Sequence, residues 1–330
     1  MDAGTRVWKR EYQTASMVFY KNEQSLALQG MIHWGTPDFF RYIQQKINAC
    51  AGIILKEDNG YLDPAALIKL DDASFNMYCC DLDKKTDKVR EVMKSLLGFD
   101  YQWDVLKYPG PPQSLCADVS WHEECAFDSY MNITSQASYG GHYHGDEDTA
   151  WDLLLACPEA GRVLLNEVMY RCFRLLDSTS GMKAKEEILN LFAEWSEGYR
   201  FRNPTKACGL FHDLVCHFGS DTDEMEPEHK AFVFDKRELR VLKLVGKIEL
   251  LGYVSETLIL YGAGHFESLR SGLKAAGWRP RGPIAWTTAW TFAPCSVTAM
   301  LKALNAVSYG FLPLLRHERG SCDSSAVTSA

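Results

Sequence analysis

Apolar positions along the chain group into runs of two kinds. Short continuous runs at residues 25–33 (SLALQGMIH), 53–57 (IILKE), 256–261 (ETLILY) and 284–292 read as buried strands. After the first of them the period changes: Phe39, Phe40, Ile43, Ile47 and Ala51 recur at helical spacing. Thr36 is placed to cap that helix, and Pro37 to occupy its first turn. Strand, helix and strand within about thirty residues predict a βαβ unit with a right-handed crossover and parallel pairing. Residues 84–97 read as a further helix, 101–108 as a strand or extended segment, and Pro109-Gly110-Pro111-Pro112 as a break. From about 121 to 230 the pattern is mostly helical. A long helix over 228–252, the strand 256–261, a helix running to Gly277, the strand 284–292 and a helix over 296–306 follow.

This order predicts an α/β fold: a split core with a mostly parallel central sheet and a helical insertion between its halves. Residues 1–120 form the first half, 121–227 the insertion and 228–315 the second half. The small, polar residues 316–330 read as a disordered tail.

Composition narrows the function classes. The chain has 330 residues, 46% of them hydrophobic, and a net charge of −8, which argues against nucleic acid or an anionic membrane as partner. No stretch has eighteen uninterrupted apolar residues, and residues 1–10 carry no secretory pattern. The 11 Cys form no CxxC pair. This is reduced-thiol usage, and the expected location is the cytoplasm. Asn132-Ile133-Thr134 fits a glycosylation acceptor that such a location would leave unused.

The strand ends carry the candidate chemistry. Gly-x-x-His occurs four times, where 24 Gly and 9 His predict about 0.7 by chance. Only Gly30 to His33 and Gly262 to His265 close a strand-like run; Gly141 to His144 and Gly209 to His212 do not. Glu57 ends the second strand as His33 ends the first, so both project from the carboxyl edge of the sheet, where ligands bind in open α/β folds. Two neutral imidazoles and a carboxylate can hold a divalent ion and leave positions for water, the basis of metal-assisted hydrolysis. The same histidines can equally be hydrogen-bonded strand-end or helix-capping residues. Arg237 can clamp a carboxylate or an oxyanion, or can belong to a solvated helix face. The run Gly141-His142-Tyr143-His144-Gly145-Asp146-Glu147-Asp148 can bind a metal by itself, or be a hydrated turn and helix start. His212, Cys216 and His217 fall on a helix. Trp278, Trp286 and Trp290 can line an aromatic pocket, though buried sheet aromatics are the plainer reading.

The sequence order Gly30-Met31-Ile32-His33, Glu57, Asp100-Tyr101-Gln102-Trp103, Cys116-Ala117-Asp118, Asp235-Lys236-Arg237, Tyr261-Gly262-Ala263-Gly264-His265 resembles the TraB/Tiki superfamily. That superfamily carries two Gly-x-x-His motifs with a glutamate and an arginine between them, on a split α/β core related to the erythromycin-esterase and ChaN-like folds. The likeness covers roughly residues 25–120 and 228–292. Met31-Ile32 replaces the small residues usual in the first motif, and Asp235-Lys236-Arg237-Glu238 stands where the family has Glu-Arg-Asn. The resemblance implies a metal-dependent hydrolase of amide or ester bonds in a small molecule or peptide. His33, Glu57 and His265 would surround a divalent ion of the Mn, Co or Zn class. Arg237 would be its electrostatic partner, and Asp118, Gly30, Gly262 and Gly264 would line the substrate. Related folds leave two alternatives open: a small-molecule lyase or cyclase, and a non-catalytic binder of haem or another planar ligand.

Overall fold

The four apolar runs are strands of one sheet. A computed structural model describes residues 4–57, 88–118, 147–179, 181–218, 227–252 and 254–310. The strands are β1 (Thr5–Trp8), β2 (Glu11–Lys21), β3 (Gln24–Met31), β4 (Trp34–Gly35), β5 (Ile53–Lys56), β6 (Asp100–Tyr101), β7 (Ser114–Cys116), β8 (Glu256–Gly262) and β9 (Arg279–Thr291). The protein is an α/β fold whose central ladder, in the order β3-β8-β5-β7, is parallel throughout. β2 adds antiparallel pairing on the other side of β3, with β1 and β9 also antiparallel to it. β4 and β6 form a separate two-stranded ribbon.

The helix expected after β3 is α1 (Pro37–Ala49), with the Thr36 hydroxyl accepting from the Phe39 N–H and Phe39, Phe40, Ile43 and Ile47 buried. The βαβ unit is present with one difference. β3 and β5 run parallel without pairing, because β8, more than two hundred residues later, lies between them. The strand β2 is not read from the pattern. Its hairpin with β3 turns on Asn22 and Glu23, both at positive φ, in place of the Asn-Gly that announces such turns.

Helices cover both faces of the ladder, which is why its strands are apolar runs instead of alternating ones. On one face, Val241, Val245 and Ile248 of α7 (Arg237–Leu251) and Phe266, Leu269 and Leu273 of α8 (Phe266–Ala275) pack on Leu26, Leu28, Leu55 and Ile259. On the other lie α1, α2 (88–97), α3 (Glu147–Ala156), α4 (Pro158–Leu176), α5 (Gly181–Ser196), α6 (Pro204–Phe218) and α9 (Val297–Gly310). The helices of the expected insertion share this core with α9. Phe173 of α4 lies 6.0 Å from Trp290 and 6.4 Å from Phe292.

Two further segments differ from the sequence expectation. Residues 101–108 are mostly not extended: after β6 the chain turns through a four-residue helix, Gln102–Val105, anchored by the Gln102 N–H on the His33 carbonyl at 2.9 Å. The long helix over 228–252 is interrupted by a π-helical segment, Ala231–Lys236, between Pro227–Lys230 and α7. A π turn inserts one residue per turn, and periodicity cannot register it. Residues 84–87, Asn132, the Gly141–His144 motif with Asp146, and the tail lie outside the described residues.

Candidate functional site

The parallel ladder puts the carboxyl ends of β3, β5, β7 and β8 along one edge, and each is followed by a polar side chain. His33 lies two residues beyond β3, Glu57 directly after β5, Asp118 two residues beyond β7, and His265 three beyond β8. Strand geometry alone therefore gathers the four positions, as the sequence predicts for His33 and Glu57.

Asp118 and Arg237 form the fixed element. Asp118 is fully buried, and its two oxygens each accept from Arg237 at 2.5 Å, Nε to Oδ1 and Nη2 to Oδ2. This is a bidentate fork, the geometry that guanidinium and carboxylate share. The Tyr261 hydroxyl donates to Asp118 Oδ1 at 3.2 Å. The remaining Arg237 nitrogen, Nη1, lies 3.8 Å from Glu57 Oε1. Burial disfavours the guanidinium charge, but the hydrogen bonds and charge of Asp118, with that of Glu57, outweigh it and raise the pKa of Arg237. Tyr261 is also raised, by burial first and then by the Asp118 and Glu57 charges, so it stays a neutral donor.

Glu57 is buried and accepts from the Gly262 N–H. This contact explains why position 262 is glycine: a Cβ there would stand 2.8 Å from Glu57 Oε2 and 3.4 Å from the His265 ring. Gly30 has a packing role, paired with Tyr261 and backed by the Ala15 carbonyl and Ala263 Cβ at 3.2 and 3.3 Å from where its own Cβ would stand. Gly264 lies in the 3-10 turn Ala263–His265.

The two histidines have different surroundings. His33 is an exposed residue, yet burial is the leading influence on its ring and lowers its pKa below 6.5; the Glu57 charge opposes this, Arg237 adds to it, and a Gln102 side-chain hydrogen bond and the Asp118 charge oppose it. A group that is solvent-accessible and still desolvated sits in a recess, here flanked by the Trp103 ring at 4.6 Å and the Tyr101 ring at 6.4 Å. His265 is buried, between Phe234 at 4.7 Å and Tyr261 at 5.0 Å, with Nδ1 3.1 Å from Glu238 Oε1. Ser268 also donates to Glu238. An ionised carboxylate only accepts, so Nδ1 of His265 carries the proton and a neutral ring keeps its lone pair on Nε2.

His33, Glu57 and His265 have the donor chemistry for a borderline divalent ion. Among the described residues, however, no three His, Cys, Asp or Glu side chains come together in a way that could hold one. Glu57 is engaged by Gly262 and faces Arg237.

Three members of the site are not assigned from sequence. Glu238 sits within the Asp235–Glu238 charge run, but only the π segment and α7 bring it to His265. Tyr261 reads as an apolar strand residue, and its hydroxyl finds Asp118 only across the ladder. Trp103 is hidden by the unexpected helical turn. The other Gly-x-x-His histidine within the described residues, His212, is exposed on α6 beside Asp213 and Cys216. Trp286 and Trp290 do not share a pocket, while Trp278 lies in the same cluster as Trp286. A bulge at Ala289 in the β2–β9 ladder changes the alternation, so Trp290 stacks on Tyr12 at 4.4 Å on one face while Trp286 packs toward the α7–α8 face. No helix among the described residues is long and apolar enough to cross a membrane. With the geometry in hand, comparison with protein-family models, curated proteins and solved structures finds no match.

Proposed function

We propose that the carboxyl edge is the active site of a hydrolase acting on an ester or amide bond of a small molecule or peptide, with His33 as general base. The observation that carries this reading is the setting of His33: an exposed residue at the strand edge whose pKa is lowered by burial first, so that it is neutral at pH 7, within the fields of Glu57 and Arg237. A water proton passes to His33 as the water oxygen bonds to the carbonyl carbon. The C–O or C–N bond then breaks, and the proton returns from His33 to the leaving group. The Glu57 charge favours the transient imidazolium. Arg237, oriented by Asp118, faces the developing oxyanion and is worth a few kcal/mol of transition-state stabilisation, roughly 10²–10³ in rate. The resemblance to the TraB/Tiki motifs supports the same residues.

In a second reading His33, Glu57 and His265 would be the residues that hold a divalent ion, and the ion would supply the polarisation of water. This reading is favoured by the His265–Glu238 contact, since ligand histidines commonly donate their second N–H to a carboxylate. One experiment separates the two. Purified protein is assayed on chromogenic esters and fluorogenic peptides before and after chelation, with elemental analysis of wild type, His33→Gln and His265→Gln. Turnover that survives chelation and is lost in His33→Gln supports general-base hydrolysis. Turnover lost on chelation and restored by Mn, Co or Zn supports the second reading, and turnover intact in His33→Gln overturns both.

A further inference from the structure

The helix that delivers Arg237 to the site has an outer face with a chemistry of its own. Lys236, Arg240, Lys243 and Lys247 recur at i, i+4, i+7 and i+11, and all four are exposed. With Leu239 and Leu244 they line one shallow depression on α7, whose other side packs Val241, Val245 and Ile248 into the core. Neither acid of α7 offsets them: Glu238 is buried against His265, and Glu249 is bound by Lys21 at 2.6 Å. Asp235, just before the stripe, is exposed. On the neighbouring α8, Glu267 is held by Arg270, and Lys274 adds a further exposed cation to the same helical layer.

Solvated hydrocarbon flanks the cations. Leu250 is 88% exposed, Leu239 51% and Leu251 50%. α7 contains no Ser, Thr, Asn, Gln or aromatic residue. Its outer face therefore has no group to read a base edge, stack on a base or pair with the amides of a particular peptide. An anionic lipid surface needs none of these, since its headgroups take the cations and its interface takes the leucines. The net charge of −8 argues against such a partner from the sequence, but it is an average over the whole surface. Charges more than about 8 Å away are largely screened at physiological ionic strength, whereas the stripe would lie in contact.

We infer that the outer face of α7 is a docking surface for an anionic lipid bilayer, with Lys236, Arg240, Lys243 and Lys247 on the headgroups and Leu250 and Leu251 in the interface. The surface does not depend on the hydrolase reading. Its stripe begins one residue before Arg237, so docking holds the carboxyl edge of the sheet beside the lipid. The test is sedimentation of the full chain with vesicles of phosphatidylcholine alone and with about one-third phosphatidylserine. Binding to the second only is expected, weakening as salt rises. Each cation at such a surface is worth roughly fivefold, so Lys243→Gln/Lys247→Gln weakens binding by about 25-fold. Leu250→Ser, which removes a leucine from the interface, weakens it by about fivefold. Lys183→Gln/Lys302→Gln makes the same charge change on α5 and α9, across the sheet, and leaves binding as in wild type. All four lysines are exposed, so none of these changes touches the core. An equal loss in both double variants would trace binding to net charge and overturn the proposal. So would the lack of any preference for phosphatidylserine, or wild-type binding by Lys243→Gln/Lys247→Gln. Wild-type binding by Leu250→Ser, with poly-glutamate bound as tightly as the vesicles, would assign the face to an acidic polymer instead and also overturn it.

Discussion

Replacing Asp118 by Asn tests the centre of the site through stability, without knowledge of the substrate. Asp118 is fully buried and binds Arg237 by two hydrogen bonds of 2.5 Å, with a third from Tyr261. Removing one charge from a buried pair strands the other, at about 3–5 kcal/mol. Here the amide keeps an acceptor for one guanidinium bond, and Arg237, its side chain 12% exposed, keeps Glu57 at 3.8 Å. The lower end, about 3 kcal/mol, is therefore expected. At roughly 2.1 cal/mol/K of unfolding entropy per residue, a chain of this length has about 0.7 kcal/mol/K at its midpoint, and the melting temperature falls by about 4 °C. Urea unfolding of Asp118→Asn, Arg237→Met and the double variant measures the coupling directly, and about 2 kcal/mol of non-additivity is expected. Costs that add to within about 0.5 kcal/mol would refute the bidentate geometry and the orienting role assigned to Asp118.

Two further expectations concern His33 and Gly262. Since burial lowers the His33 pKa, the folded state holds fewer protons than the unfolded chain below pH 6.5. The His33 contribution is fully present above pH 6.5 and is lost as pH falls through the depressed folded value. A urea-unfolding series should thus lose part of its pH slope in that window on His33→Gln, and an NMR midpoint for His33 at or above 6.5 would contradict the assignment. In Gly262→Ala the new methyl displaces the Glu57 carboxylate, a movable side-chain end. The fold should persist with a cost of about 1–2 kcal/mol, while hydrolytic turnover drops at least tenfold; unchanged turnover would remove Glu57 from the site.

Much of this arrangement is legible in the sequence because it depends on local rules. A buried strand needs a continuous apolar run, and a helix start needs a cap; hence β3, α1, β5 and β8, and with them the placement of His33, Glu57 and His265 at strand ends. The parallel direction of β3 and β5 follows from the helix between them, and it puts His33 and Glu57 on one edge. Other features have no local signature. The insertion of β8 between β3 and β5 is a choice among equally apolar neighbours, made by how all the helices pack, and it brings Gly262 against Glu57. The Arg237–Asp118 fork joins residues 119 positions apart, and the π segment that sets the register of Arg237 and Glu238 breaks the period by which helices are read. Sequence by itself determined which residues end the strands. Tertiary structure decided which of them meet, because strand order and side-chain pairing are long-range contacts whose energy depends on the whole packed core.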